Sequence, residues 1–313
     1  MTDLAQELIE LEHRLDPADP TRAGTGVDLL AYGEVSGVFT YAGLPERVLK
    51  RMSGFPDREH ALAYSRIVER YVSILRDLGV PVAPTELMVV ERVPGRPVTY
   101  VVQPLLDPER FGGSLLRRRG LEDLCPLLER VLDLVRRVLG ANATRTDGRE
   151  VAVDAQLSNW HWPEHDDGPR PVLVDVATPF MKKEGTLEMG VELFLAAYPA
   201  PMRWWLRHTR AVERYIADYF RFDLTVADLI GNFVKEGAPD KIPGAVQFVN
   251  EWIARQPDRE RLGRIDEQTV RRYYAKDAAN LELSLRARRL GRFITTKLLR
   301  RRYDFILPGS IRR

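Results

Sequence analysis

The chain has 313 residues, room for two domains of ordinary size or one large two-lobed unit, with a core that needs no disulfide or metal staple. Apolar residues at 44% and charged residues at 29% exclude disordered, collagen-like and coiled-coil chains. With 47 basic against 45 acidic residues, a net charge of +2, bulk charge does not mark a nucleic-acid binder, and one cysteine excludes an intrachain disulfide and a cysteine-based zinc site.

Leu4, Leu8, Ile9, Leu11 and Leu15 recur at helical spacing behind Thr2 or Asp3 as N-cap, and the Pro- and Gly-containing stretch 17–24 ends that helix. The pattern then turns to short β-like runs at Val27–Tyr32, Val38–Tyr41, Arg47–Met52, Leu87–Val93 and Val98–Gln103, the last two joined by a turn at Pro94–Pro97. One helix, Arg58–Leu78, interrupts them, and Gly79 and Pro81 stop it. After Gln103 the chain reads as mostly helical, beginning with the strongly periodic Leu121–Leu139, in which Cys125 reads as a small buried hydrophobe. A small β cluster follows at Glu150–Val153, Trp160–Trp162 and Val172–Val176, and from Thr186 onward only helices and loops are expected. The order predicts an α+β chain of four parts: a helix and linker (1–25), a β-rich lobe (26–103), a helical lobe (104–283) and a C-terminal segment (284–313). The N-terminus has no basic and apolar leader pattern, and no run approaches the roughly 18 apolar residues of a membrane span. A soluble, cytoplasmic protein is the expectation.

Four pieces of the sequence could carry chemistry. Gly33, Ser36 and Gly37 lie in the turn between the first two β runs, where backbone N–H groups can approach an anion or simply close a hairpin. Lys50 ends the third run, either as a solvated edge charge or as a cation aimed into a cleft. Asp154 and Asn159 lie five residues apart on a loop, so a carboxylate and a carboxamide can face one centre. Asp175 closes the apolar run Val172–Val174, and an acid there is costly to bury unless it is paired or metal-bound.

In their order, these pieces resemble the protein kinase-like superfamily, nearest its aminoglycoside and small-molecule phosphotransferase branch, over roughly residues 27–180. The resemblance implies a bilobal fold with a small β-rich N-lobe and a larger helical C-lobe, and ATP and Mg²⁺ as cofactors. By that likeness 33–37 is the loop over the phosphates, Lys50 contacts them, and Asp154 is the catalytic-loop base. Asn159 and Asp175 hold the metal, and the hinge at Gln103–Leu106, with Gln103 and Leu105, faces the adenine. Glu69, 19 residues after Lys50, is the helix glutamate that orients the lysine, with Glu59 second because the helix dipole also explains an acid at that end. The chain departs from the family pattern at Val35 and Val38 in the glycine loop, at Ala152 before the catalytic aspartate, and at Val176-Ala177 after the metal aspartate. An active phosphotransferase acting on a small-molecule hydroxyl is the first expectation, and a nucleotide-binding pseudokinase that regulates or scaffolds is the alternative.

Three remaining features read more plainly. The scattered histidines, His161 among them, show no metal spacing. Trp204 and Trp205 read as core of the helical lobe or as lining of an acceptor pocket, and Lys182-Lys183-Glu184 as a solvated loop. Between Ser284 and Arg313 ten basic residues face one acid, Asp304, so this segment carries +9 on a body of −7. Leu285, Leu290, Phe293, Ile294, Leu298 and Leu299 interleave with the cations, as in a basic amphipathic helix that packs on the lobe or meets an anionic partner.

Overall fold

Leu8, Leu11 and Leu15, spaced for one face of a helix, are buried along α1 (Leu4–Arg14), whose first turn is capped by the Asp3 carboxylate. In the computed structural model, which describes residues 3–33, 36–91, 96–163, 170–300 and 302–307, this helix covers one face of a five-stranded antiparallel sheet. The strands are β1 (Val27–Tyr32), β2 (Ser36–Tyr41), β3 (Arg47–Met52), β4 (Glu86–Glu91) and β5 (Pro97–Pro104), in the order β1-β2-β3-β5-β4. The turn expected at Pro94–Pro97 lies partly outside the described residues.

Alternation along the central strands decides what each face holds. Leu49 of β3 and Val98, Tyr100 and Val102 of β5 join the core beneath α1, whereas Met52 and Val101 join the core beneath α2 (Arg58–Asp77). Lys50 and Met52 share a face by the same rule, so the lysine stands on the side away from α1. Asp57 caps α2, which stops where Gly79 takes a left-handed φ of 76°.

Beyond β5, α3 (Gly112–Arg118) and α4 (Leu121–Ala141) lead to short strands β6 (Arg149–Val151), β7 (Trp160–His161) and β8 (Val172–Leu173). Strands β9 (Met181–Lys183) and β10 (Thr186–Leu187) are too short for a sequence pattern to announce. Lys182 and Lys183 therefore lie in a strand rather than a loop, and Lys182 Nζ sits 3.9 Å from the centre of the Phe220 ring. The helical remainder comprises α5 (Glu192–Leu195), α6 (Ala200–Thr209), α7 (Ala211–Ala217), α8 (Phe222–Gly231), α9 (Ile242–Ala254), α10 (Arg259–Leu262) and α11 (Glu267–Phe293), which runs on as a π turn over Ile294–Leu298. The architecture is a two-lobed α+β fold: a small β-rich lobe beside a larger helical one. No helix among the described residues is long and apolar enough to cross a membrane.

Both chain ends pack on the N-lobe. Residues 302–307 return across it, with Ile306 in the core under α1 and Tyr303 Oη donating to the Ala197 carbonyl of the other lobe at 2.9 Å. A Cβ on Gly37 would lie 2.9 Å from Ile306 Cδ1, so glycine at 37 is required by this close approach. The division at 283/284 falls inside α11, because a helix continuous to Phe293 joins the lobe to the tail.

Candidate active site

Lys50 projects from β3 into the cleft between the lobes, where its ammonium donates to both carboxylate oxygens of Asp175 at 2.7 and 2.9 Å. Burial alone would raise the Asp175 carboxyl, but the Lys50 charge and hydrogen bonds outweigh it and hold the carboxyl below its ordinary range. Asp175 reaches this place because β8 is stitched to the segment after α2: Leu173 N–H donates to Pro81 O, and Ala83 N–H to Leu173 O. The Gln103 side chain adds a third tie, donating to Val174 O at 2.8 Å and to Thr85 Oγ1 at 3.0 Å.

Asp154 lies on the loop after β6, with a carboxylate oxygen accepting from Gln156 N–H at 2.9 Å and from the Asn159 side chain. Asn159 is placed by a 3₁₀ turn over Leu157–Asn159, and its carbonyl accepts from Val174 N–H beside Asp175. Burial, reinforced by the Asp175 charge, outweighs those hydrogen bonds and pushes Asp154 up to about 6. Lys50, Asp154, Asn159 and Asp175 thus meet in one cleft. Gly33 lies over them, since a Cβ there would stand 3.7 Å from Lys50 Cε and clash with Ser36 Oγ. Ser36 is buried, and its carbonyl accepts from Gly33 N–H at 2.9 Å.

Several expected placements differ. Glu69 and Glu59 are both exposed on α2, because the buried side of that helix is formed by Ala61, Tyr64, Ser65, Val68, Tyr71, Val72 and Leu75. Asp175 holds Lys50 instead, and α2 is fixed to the cleft by hydroxyls: Tyr64 donates to Ala177 O at 2.7 Å and Tyr71 to Ala152 O at 2.8 Å. Gly37 makes room for Ile306 rather than opening onto the cleft. Leu105 is exposed, and its N–H is taken by Glu46 O at 2.9 Å, so that donor does not face a base. Glu34 and Val35 lie outside the described residues. His161 is buried edge-on to Phe111, with ring centres 5.2 Å apart, which fits packing.

The helical lobe adds residues that no spacing announces. Asp228, buried near the end of α8, accepts from Gln156 Nε2 at 2.9 Å and from Asn232 Nδ2 at 3.1 Å. Burial and the Asp154 charge push its carboxyl well up, which leaves Asp154 as the first of the two to ionise. One signal was present in the sequence: an acid inside the apolar run Thr225–Ile230 needs a partner. Lys235, exposed just beyond α8, exerts its positive charge on Asp154, Asp175 and Asp228 together. Its loop is locked by neighbours. Glu236 pairs with Arg117 at 2.6 Å, and glycine is required at 112 because the Leu157 carbonyl oxygen occupies the space of a Cβ.

Among the described residues, no cluster of three or more His, Cys, Asp or Glu side chains is set to cage a metal. Asn159 and Asp175 could offer one carboxamide and one carboxylate oxygen, a sparse donor set of the kind a divalent cation completes with water and phosphate.

Solved structures similar to this chain include WaaP in complex with acyl carrier protein, at 15% identity and TM-score 0.40, covering 88% of this chain and 92% of that one. Others are the GDP complex of wild-type aminoglycoside 2'-phosphotransferase-IIIa, at 10% identity and TM-score 0.35, covering 80% of this chain and 98% of that one, and amicoumacin kinase hAmiN in complex with AMP-PNP, Ca²⁺ and Ami, at 11% identity and TM-score 0.30, covering 88% and 94%. No curated protein matches the chain. A family model described as a family of unknown function, DUF6206, matches residues 10–292, and the chain belongs to that family.

Proposed function

We propose that this protein is an ATP- and Mg²⁺-dependent phosphotransferase that acts on a hydroxyl of a small molecule in the cytoplasm. One observation carries the reading: Lys50 on Asp175 and Asn159 on Asp154, four residues from three parts of the chain, meet beneath Gly33. Phosphoryl transfer needs positioning and charge neutralisation, and these residues provide both. Asp154 takes the proton of the attacking hydroxyl as its oxygen bonds to the γ-phosphorus, and the bond from that phosphorus to the bridging oxygen breaks, leaving ADP. Bound Mg²⁺ offsets negative charge on the phosphates. Asn159 and Asp175 hold it, and Lys50 exchanges its carboxylate partner for phosphate oxygens.

Titration calorimetry tests the donor site. Wild type should bind Mg·ATP, and Lys50→Ala should weaken that binding by about tenfold or more, since it removes a charge-assisted contact to phosphate. Absent binding, or binding unchanged by the substitution, would reject the reading.

Lys235 is assigned to the transferred group, because its charge acts on the carboxylates of both the base and the metal site. Lys235→Met should lower kcat by roughly 10–100-fold with a smaller effect on the KM for ATP, in steady-state assays once an acceptor is found. An unchanged kcat would remove Lys235 from the chemistry.

A pseudokinase is the second reading, favoured by the double hydrogen bond that keeps Lys50 on Asp175 and by the engaged Leu105 N–H. Nucleotide binding without ADP release over a broad panel of hydroxyl acceptors would select it.

A further inference from the structure

A helix that ends a domain ordinarily buries its apolar residues and leaves its cations in water. The C-terminal third of α11 does the reverse. Leu285, Arg288 and Gly291 are its buried positions, whereas Leu283, Leu290 and Phe293 are 55%, 55% and 53% exposed. At 100° per residue, Leu283, Arg286, Leu290 and Phe293 fall within about 80° of one another, on the side opposite the buried three. Leu298 and Leu299 continue the exposed apolar surface at 66% and 56%. Of the apolar residues expected to pack on the lobe or to meet an anionic partner, Leu285 packs, whereas Leu290, Phe293, Leu298 and Leu299 face water. The reason is that Gly291 lies against Pro199 and Ala197, and Tyr198 Oη meets Ser284 Oγ at 2.5 Å, so the neighbouring chain covers the other side of the helix.

Around this stripe cations outnumber acids. Exposed Arg272, Lys276, Arg286, Lys297 and Arg300 accompany it, and Glu282 is already paired with Arg286 at 2.5 Å. Helix α6, whose start abuts α11 at Gly291, exposes Trp204 and Trp205 at 65% and 49%, which rules out the core role expected for them.

We infer that the outer stripe of α11 is a docking surface for an anionic lipid bilayer. Large apolar side chains flanked by long-stemmed cations, with tryptophans close by, are the composition of a helix lying in the interface plane. Anionic headgroups would add favourable charge contacts to the cations beside the stripe. A second copy is the poorer occupant, because two-fold pairing sets a mostly cationic surface against itself.

Co-sedimentation with phosphatidylcholine vesicles, with and without phosphatidylglycerol, tests the inference independently of any phosphoryl transfer. The intact protein should bind only the anionic vesicles, and more weakly as salt rises. Leu290→Ser with Phe293→Ser should weaken binding by about tenfold or more, since both apolar anchors are lost. Both residues are more than half exposed, so the melting temperature of this variant should stay at the wild-type value, which separates lost docking from lost folding. No binding of wild type to anionic vesicles, or equal binding of the variant, overturns the inference. So does a wild-type dimer in light scattering that the same substitutions dissociate, or heparin binding that survives them without vesicle binding.

Discussion

Asp154→Asn is expected to abolish phosphoryl transfer and at the same time to stabilise the protein. Asparagine keeps the oxygen that accepts from Gln156 N–H but cannot take a proton, so the rate should fall by roughly 10²–10⁴-fold with Mg·ATP binding retained. The stability gain has a definite sign. The carboxyl is pushed up to about 6 by burial and by the Asp175 charge, so folding favours its protonated form, and ionising it destabilises the native state as pH rises from about 4 through 6. Above pH 7 the variant escapes that penalty, and the gain should be about 1–2 kcal/mol, since a tenfold change in proton affinity is worth about 1.4 kcal/mol and solvent in the cleft screens part of it. Thermal melts at pH 7.5 and pH 4.5 check this: the variant should melt higher at the first pH, with a much smaller difference at the second. The same ionisation predicts that wild-type transfer rises with pH through an inflection near 6. A melting temperature that drops at both pH values would assign Asp154 a structural role instead.

Arg51→Met should have the largest effect on stability. Arg51 and Glu12 are almost fully buried, and the guanidinium reaches the carboxylate through both Nε and Nη2, at 2.5 and 3.2 Å. Tyr100 Oη donates to the same carboxylate at 2.5 Å, and Arg51 Nη1 donates to Asp304 O at 2.6 Å. One side chain thus ties α1, β3, β5 and the returning tail, and its removal leaves a buried carboxylate without its counter-ion. The expected loss is about 3–5 kcal/mol, read from urea unfolding at pH 7. Joining Glu12→Leu to Arg51→Met should recover most of it, because a well-packed apolar pair replaces the buried charges at little cost. The pH dependence also has a set sign. Burial alone would raise the Glu12 carboxyl, but the Arg51 charge and the hydrogen bonds overcome it and hold the carboxyl below its ordinary range. The stabilisation is therefore complete above the ordinary glutamate pKa of about 4.3 and is lost as pH falls through the lower native value. A variant as stable as wild type at pH 7 would remove the cluster from the energetics of the fold.

Much of the lobe plan was legible because strands and helices announce themselves by local periodicity. Arg47–Met52 and Leu4–Arg14 show their buried faces in the spacing of their own apolar residues. Asp154 and Asn159 were legible together for a related reason: five residues on one loop keep two side chains near each other whatever surrounds them. The placement of Glu69 was not legible, because it depends on which side of α2 meets the rest of the cleft, and the two tyrosines that make that contact lie on another side. Lys235 has no local signature, and the one signal at Asp228, an acid in an apolar run, does not say what it meets; both reach Asp154 only through the packing of α8 behind the loop that carries it.

By itself the sequence determined the α+β order of elements, the near-neutral total and the strongly basic C-terminal segment. Tertiary structure alone decided the partner of Lys50, 125 residues away in the chain, and which side of α11 faces water. The physical reason is the same in both cases. Periodicity states that a face is apolar or a residue charged, but the free energy of placing it depends on what packs against it, and that is set by segments far apart in sequence. Leu290 and Phe293 carry the pattern of a buried face and yet lie in solvent, because Pro199 and Ala197 reached the other side of their helix.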